Sequence, residues 1–285
     1  MGEIGLVVNY YWLPSFKEST RWCTGLALAT LKEEQDIGTI LLVDGSPEPD
    51  SIAKDMCSKI GVEYVYVGHK PIAEAYNIGW RTLSEPYVGF MANDVIPLQG
   101  TIKKLSEWVR LPDVGCVFPY LTSSDNPMEV MSYSRKQKNC EPSAMTFNLN
   151  ILKRSVLGKI GGIDEGYSGG YNDVILLMKV RELGFRVVLV GQTCAFHFGK
   201  MTVGQHSLYT FENDKTKFRE EYPRYYSKYG FWNITHWRRP FAKNLITSIM
   251  WWCAQSCPLS QIRNKLLYLA RRLEPLFTQC KKRAK

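Results

Sequence analysis

Along the first hundred residues, apolar positions switch repeatedly between a strand-like and a helical spacing. Short runs rich in β-formers at 4–10, 39–43, 63–67 and 87–91 predict buried strands. Between and after them, 20–34, 51–60, 72–83 and 100–109 carry helical spacing; in the first, Trp22, Leu26, Ala29 and Leu31 are among the apolar positions. A strict strand–helix alternation of this kind builds a parallel sheet covered on both faces.

Less regular patterning marks the second half. Strand-like runs occur at 114–119 and 145–152, a glycine-rich loop at 158–170, a helix at about 174–183 and a strand at 186–190. Gly184 stands at the natural C-cap of that helix. No internal repeat stands out.

Composition adds a class and a charge map. Apolar residues are 45% and charged residues 22% of the chain, as in ordinary soluble globular proteins. The first five residues lack the basic start and apolar core of a signal peptide, and Leu6 does not suit a myristoylation motif. Eight cysteines stand scattered without a C-x-x-C pair, and Cys116 and Cys194 lie in apolar strand contexts. Free thiols in a reducing, cytoplasmic compartment are therefore expected. From Phe231 onward, 11 Lys and Arg face a single acid, Glu274, whereas the first 230 residues hold 25 basic and 26 acidic side chains. The net charge of +9 thus belongs to the tail, which argues against nucleic acid as a partner of the main domain. In 238–285 the spacing of Ile262, Leu266, Leu269, Leu273 and Leu276, with Trp251 and Trp252, predicts a basic amphipathic appendage. Its apolar stretch of about ten residues is too short to cross a bilayer, which needs about 20. Peripheral contact with an anionic membrane surface is expected, with packing on the domain or in a homodimer as the plainer use.

In open α/β sheets, ligands bind beyond the carboxyl ends of the strands. That rule gathers Asn9, Tyr10, Tyr11, Asp44, Asn93 and Asp94 at one rim. Tyr10 or Tyr11 offers a face for a base, and Asp44 an acceptor for a base N–H or ribose hydroxyl. Read alone, Asp44-Gly45-Ser46-Pro47 is equally an ordinary turn. An acid at the position of Asp94 suits a cation that also binds a diphosphate, and suits a turn just as well.

Further on, Gly161-Gly162-Ile163-Asp164-Glu165, Asn172-Asp173, Gly184-Phe185-Arg186 and His197-Phe198-Gly199 follow one another within forty residues. This ordered run resembles the family 2 glycosyltransferases of the GT-A fold. The likeness extends back through VVNYY, LLVDGS and the Asn77-x-Gly79 pair, forward to Lys228-Tyr229-Gly230, and covers about residues 4–230. It implies a GT-A-type, Rossmann-like, mostly parallel sheet covered by helices. One catalytic domain would span 1–237, with a nucleotide-binding half at about 1–98 and an acceptor half at 99–237.

The resemblance also implies roles. Asp173 matches the catalytic base of an inverting transfer from a nucleotide-diphosphate sugar to a glycan or lipid-linked hydroxyl. Asp94 matches the metal-ligating acid, His197 the late histidine of the metal shell, and Asn77 a residue of the nucleotide half. A carboxylate with an imidazole favours Mn²⁺ over Mg²⁺. The positive end of the predicted helix should hold Asp173 ionised and lower its basicity. Lys200 and His206 lie in a Gly- and Lys-bearing stretch that suits a lid over phosphate, or a plain surface loop. Ala92 and Asn172 replace two acids usual in the family. An inactive sugar-nucleotide-binding or scaffold protein is the alternative.

Overall fold

Why the strands lie where they do is seen in the computed structural model, which describes residues 2–123, 147–168, 170–198, 201, 211–223 and 225. All of these except Tyr225 belong to one compact unit, Met1–Pro223. The predicted appendage at 238–285 lies outside the described residues, as do Lys200 and His206.

Eight strands form one sheet: β1 (Ile4–Tyr10), β2 (Ile37–Asp44), β3 (Glu63–Tyr66), β4 (Tyr87–Ala92), β5 (Val95–Pro97), β6 (Val114–Ser123), β7 (Leu149–Lys153) and β8 (Arg186–His197). Their spatial order is β3-β2-β1-β4-β7-β6-β8-β5. The first four are mutually parallel. Beyond them β7 runs antiparallel to both neighbours, β6 and β8 are parallel, and β5 is antiparallel to β8. The expected parallel sheet therefore occupies one half, and a mixed sheet the other.

Helices cover both faces. On one, α1 (Ser19–Lys32), α2 (Ser51–Ile60) and α4 (Thr101–Val109) bury Leu28, Leu31, Ala53 and Leu105 against Leu6, Val8 and Leu42. On the other, α3 (Ile72–Thr82), α5 (Arg154–Ile160) and α6 (Asn172–Glu182) bury Tyr76, Trp80, Leu157 and Leu177 against Val7, Val43 and Phe90. The last described helix is α7 (Phe211–Glu221). Gly79 lets α3 close on the sheet, since a Cβ there would lie 2.5 Å from Val7 Cγ1 and 2.8 Å from Val43 Cγ2.

One helix is rotated relative to the sequence expectation. On α1 the buried residues are Thr20, Cys23, Thr24, Ala27, Leu28 and Leu31, while Trp22 is 83% and Leu26 51% exposed. The inward face packs Ala27, Leu28 and Leu31 into the core and adds a polar contact, Thr24 accepting a hydrogen bond from Asn93 Nδ2 at 2.9 Å.

A second polar anchor sets α4. Gly100 precedes it in a left-handed conformation and offers no side-chain cap. The half-turn after α1 supplies one: Glu34 accepts from Gly100 N at 2.7 Å and Ile102 N at 3.1 Å. An anion at an uncapped helix start satisfies orphan N–H groups and meets the positive dipole end. Burial nevertheless raises the Glu34 pKa, against these backbone donors. Glu34→Ala should lower unfolding free energy by about 2 kcal/mol, the upper range for a lost cap. Urea denaturation measures this, and a loss below about 0.5 kcal/mol would refute the capping role.

Candidate active site

Only Asn93 and Asp94 separate β4 from β5, yet three strands lie between these two in the sheet. In a flat sheet that separation would be about 19 Å, whereas the link can reach only about 10 Å. The sheet therefore curls, returning the end of β8 to the side of β4. Val95 pairs with His197, and Phe198 N donates to Asp94 O at 3.0 Å. As a result His197 Nε2 lies 3.3 Å from Asp94 Oδ1, with the two side chains 24% and 9% exposed. Two residues more than a hundred positions apart form one partly open pair.

Asn148, just before β7, completes the row. Its carbonyl accepts from Ala92 N at 3.1 Å, and its Nδ2 lies 3.3 Å from His197 Nδ1. Asn93 turns the other way, toward Thr24. Tyr76 of α3 is fully buried with no hydrogen-bond partner for its hydroxyl among the described residues. Burial, and secondarily the charge of Asp94, raises its pKa.

Asp173 occupies the first turn of α6, where its carboxylate accepts from Val174 N at 2.8 Å. Among the described residues no hydrogen bond or ion pair joins it to Asp94 or His197. Its surface is half-buried, yet the surrounding protein is dense, and desolvation pushes its pKa up to about 6. This reverses the expectation that the helix end would lower its basicity: the N–H bonds of Val174 and Asp173 itself are outweighed by loss of water. The outcome is a carboxylate that is ionised at neutral pH and only just so.

The loop delivering Asp173 is tied down from two sides. Asn77 of α3 bonds Ile163 N and O, Glu165 Oε1 and Trp80 Nε1. Gly162 has φ +100°, and a Cβ there would lie 2.5 Å from Asn77 Oδ1. From the other side, Asp214 of α7 accepts from Ser168 N, Ser168 Oγ and Gly170 N at 2.9–3.1 Å. Tyr171, at φ +68°, stacks on Phe218 with centroids 4.5 Å apart. A left-handed tyrosine is held by that stack one step before the helix opens.

At the ends of β1 and β2 the polar groups largely bond one another. Asp44 is fully buried and accepts from Ser46 N at 2.9 Å, Asp50 N at 3.0 Å and Tyr64 Oη at 2.5 Å. Tyr10 Oη donates to Asp50, which also receives Arg21; the guanidinium lies 3.9 Å above Trp12. Trp12 N donates to Ser46 Oγ at 2.8 Å, locking the two loops together. Tyr10, Asp44, Asn77 and Asn93 were each expected at the nucleotide, but here their polar atoms hold the frame. Asn9 and Tyr11 remain half-buried, the ring of Tyr11 being 5.9 Å from that of His69. His69, Tyr76 and Asn148, which lie beside these residues, carry no signal in a linear pattern, because each gains its neighbours only in the fold.

Asp94 and His197 provide a hard carboxylate and an imidazole side by side, two donor types that a divalent cation accepts. Among the described residues no group of three or more His, Cys, Asp or Glu could hold a metal. The pair therefore fits an ion that takes its remaining ligands from phosphate and water. It does not fit a closed structural site.

No family model matches the sequence, and no curated protein matches it. Solved structures do. The mannosyltransferase PcManGT from Pyrobaculum calidifontis, in complex with GDP-Man and Mn²⁺, is similar at TM-score 0.53 and 16% identity. The match covers 68% of this chain and 56% of that one. GalNAc-T7 with UDP, GalNAc and Mn²⁺ is similar at TM-score 0.52 and 12% identity, over 79% of this chain and 51% of that one. This chain spans little more than half the length of either. At such identities the likeness establishes a shared GT-A-type architecture, a curled eight-stranded sheet covered by helices.

Proposed function

We propose that this chain is a nucleotide-sugar-dependent, inverting glycosyltransferase in which Asp94 and His197 hold a divalent cation, Mn²⁺ in preference to Mg²⁺, and Asp173 is the base. The observation that carries the reading is the Asp94–His197 pair, 3.3 Å apart at the strand-end rim where α/β sheets bind ligands. The bound cation would neutralise charge developing on the departing diphosphate. Asp173 takes the proton of an acceptor hydroxyl, of a glycan or lipid-linked sugar; its pKa of about 6 suits this task at neutral pH. Tyr11, with Asn9 and His69 near it, offers the base a half-open aromatic face, while Asp44 and Asn77 act by holding the loops. The shared architecture supports this reading, as does the order of the sequence motifs.

A panel of nucleoside diphosphates titrated calorimetrically with Mn²⁺ present tests it. At least one is expected to bind, with a loss of about tenfold or more in Asp94→Ala and in His197→Ala, as when a metal ligand is removed. If every diphosphate binds both variants as it binds the parent chain, or if none binds the parent, the proposal fails.

A further inference from the structure

Three backbones meet at the cation position: Asn148 O accepts from Ala92 N, Asp94 O accepts from Phe198 N, and His197 stands opposite Val95 in the ladder. The side chains form a single row, Asn148–His197–Asp94, with both gaps 3.3 Å. Which nitrogen of an imidazole carries the proton is set by the hydrogen bond that the other nitrogen makes. As placed, Asn148 Nδ2 donates to Nδ1, so Nε2, 3.3 Å from Asp94 Oδ1, carries the proton. In that state the pair is closed to a cation, since the Nε2 lone pair a cation requires is absent. Turning the Asn148 amide end for end puts Oδ1 where Nδ2 stood. Nδ1 then carries the proton and donates it to Asn148, and Nε2 presents a lone pair beside the carboxylate. A primary amide performs both roles, because it has a donor and an acceptor of nearly equal size.

We propose that Asn148 is the positioning residue of this site: its amide sets the tautomer of His197 and thereby switches the Asp94–His197 pair between a closed and a cation-accepting state. The inference rests on the reading of Asp94 and His197 as cation ligands. It adds a residue that acts through His197. No net proton is gained or lost in the exchange; one proton moves from Nε2 to Nδ1 as the amide turns. Among the described residues, Asp94 and the neutral amide of Asn148 flank His197, and the Tyr76 hydroxyl and the Cys23 thiol both feel the charge of Asp94.

The full chain, labelled with ¹⁵N-histidine and with His197 assigned by its loss in His197→Gln, provides the first readout without any metal. The Nε2–H tautomer is expected in the parent chain, and the Nδ1–H tautomer in Asn148→Asp, whose carboxylate can only accept. Mn²⁺ alone, titrated by electron paramagnetic resonance, provides the second. Asn148→Leu should weaken Mn²⁺ by about 10–100-fold, the usual range for an outer partner of a ligating histidine. Asn148→Asp should bind within about threefold of the parent chain or more tightly. A Kd unchanged in Asn148→Leu would overturn the inference, as would Asn148→Asp binding as weakly as Asn148→Leu while both melt like the parent chain. A tautomer indifferent to position 148 would do so as well. Mn²⁺ binding that is absent in the parent chain, or equal in Asp94→Ala, instead removes the cation reading itself, and the tautomer measurement still decides the role of Asn148.

Discussion

Asp173→Asn is expected to lower sugar transfer by roughly 10²–10⁴-fold, the usual contribution of a positioned base, while making the chain more stable at pH 8. The two effects have one cause. Desolvation raises the Asp173 carboxyl from 3.8 to about 6. Between those values the folded chain holds more protons than the unfolded one, so stability falls as pH rises through this window. Above it, the ionised carboxylate costs the fold about 1–2 kcal/mol, a figure reduced for its partial exposure. Asparagine escapes this cost and can still accept from Val174 N. Urea denaturation at pH 4 and pH 8 should show the variant's advantage appearing only at the higher pH. The transfer rate of the parent chain should fall tenfold per unit below about pH 6. Equal stabilities at pH 8 would remove the desolvation account, and undiminished transfer by the variant would remove Asp173 as the base.

Asn77→Ala should be the most damaging single change away from the reacting groups. Asn77 is 1% exposed and makes four side-chain hydrogen bonds of 2.7–2.9 Å, two of them to the backbone of Ile163. Deleting the amide leaves a buried indole N–H, a backbone N–H and a carbonyl unsatisfied, at a combined cost of about 3–4 kcal/mol. The loop from Gly161 to Tyr171 then loses its tie to α3, and with it the placement of Asp173. Transfer should collapse while Mn²⁺ affinity, set across the sheet by β4, β5 and β8, stays within about twofold. Chemical denaturation and a metal titration on one preparation measure both. A stability loss under about 1 kcal/mol together with weakened nucleotide binding would restore the direct nucleotide contact expected from the sequence.

At Asn77 a linear reading reaches its limit. The Asn77-x-Gly79 pair was legible as a pattern, yet its purpose was not: Asn77 bonds a loop 86 residues away and Gly79 admits the side chains of Val7 and Val43. Asp44 was legible as an acid after a strand, but whether its oxygens face a ligand or Ser46, Asp50 and Tyr64 depends on how three loops fold over it. For α1 the helix was evident and its inward face was not, since what Thr24 and Leu28 meet across the core, Asn93 and the sheet, lies far off in the chain.

What the sequence determined by itself are the features governed by neighbours a few residues away. Periodicity of two or 3.6 set strands β1 to β4 and helices α1 to α4, though not the three-residue β5, and the ordered glycine, acid and histidine motifs pointed to the GT-A-type architecture. Only the tertiary structure decided the site. A link of two residues across the breadth of a sheet forced the curl that sets His197 against Asp94, and packing around α6 stripped enough water from Asp173 to reverse its expected pKa shift. Both are effects of distance and dielectric between residues remote in the chain, quantities that come into being only when the chain closes on itself.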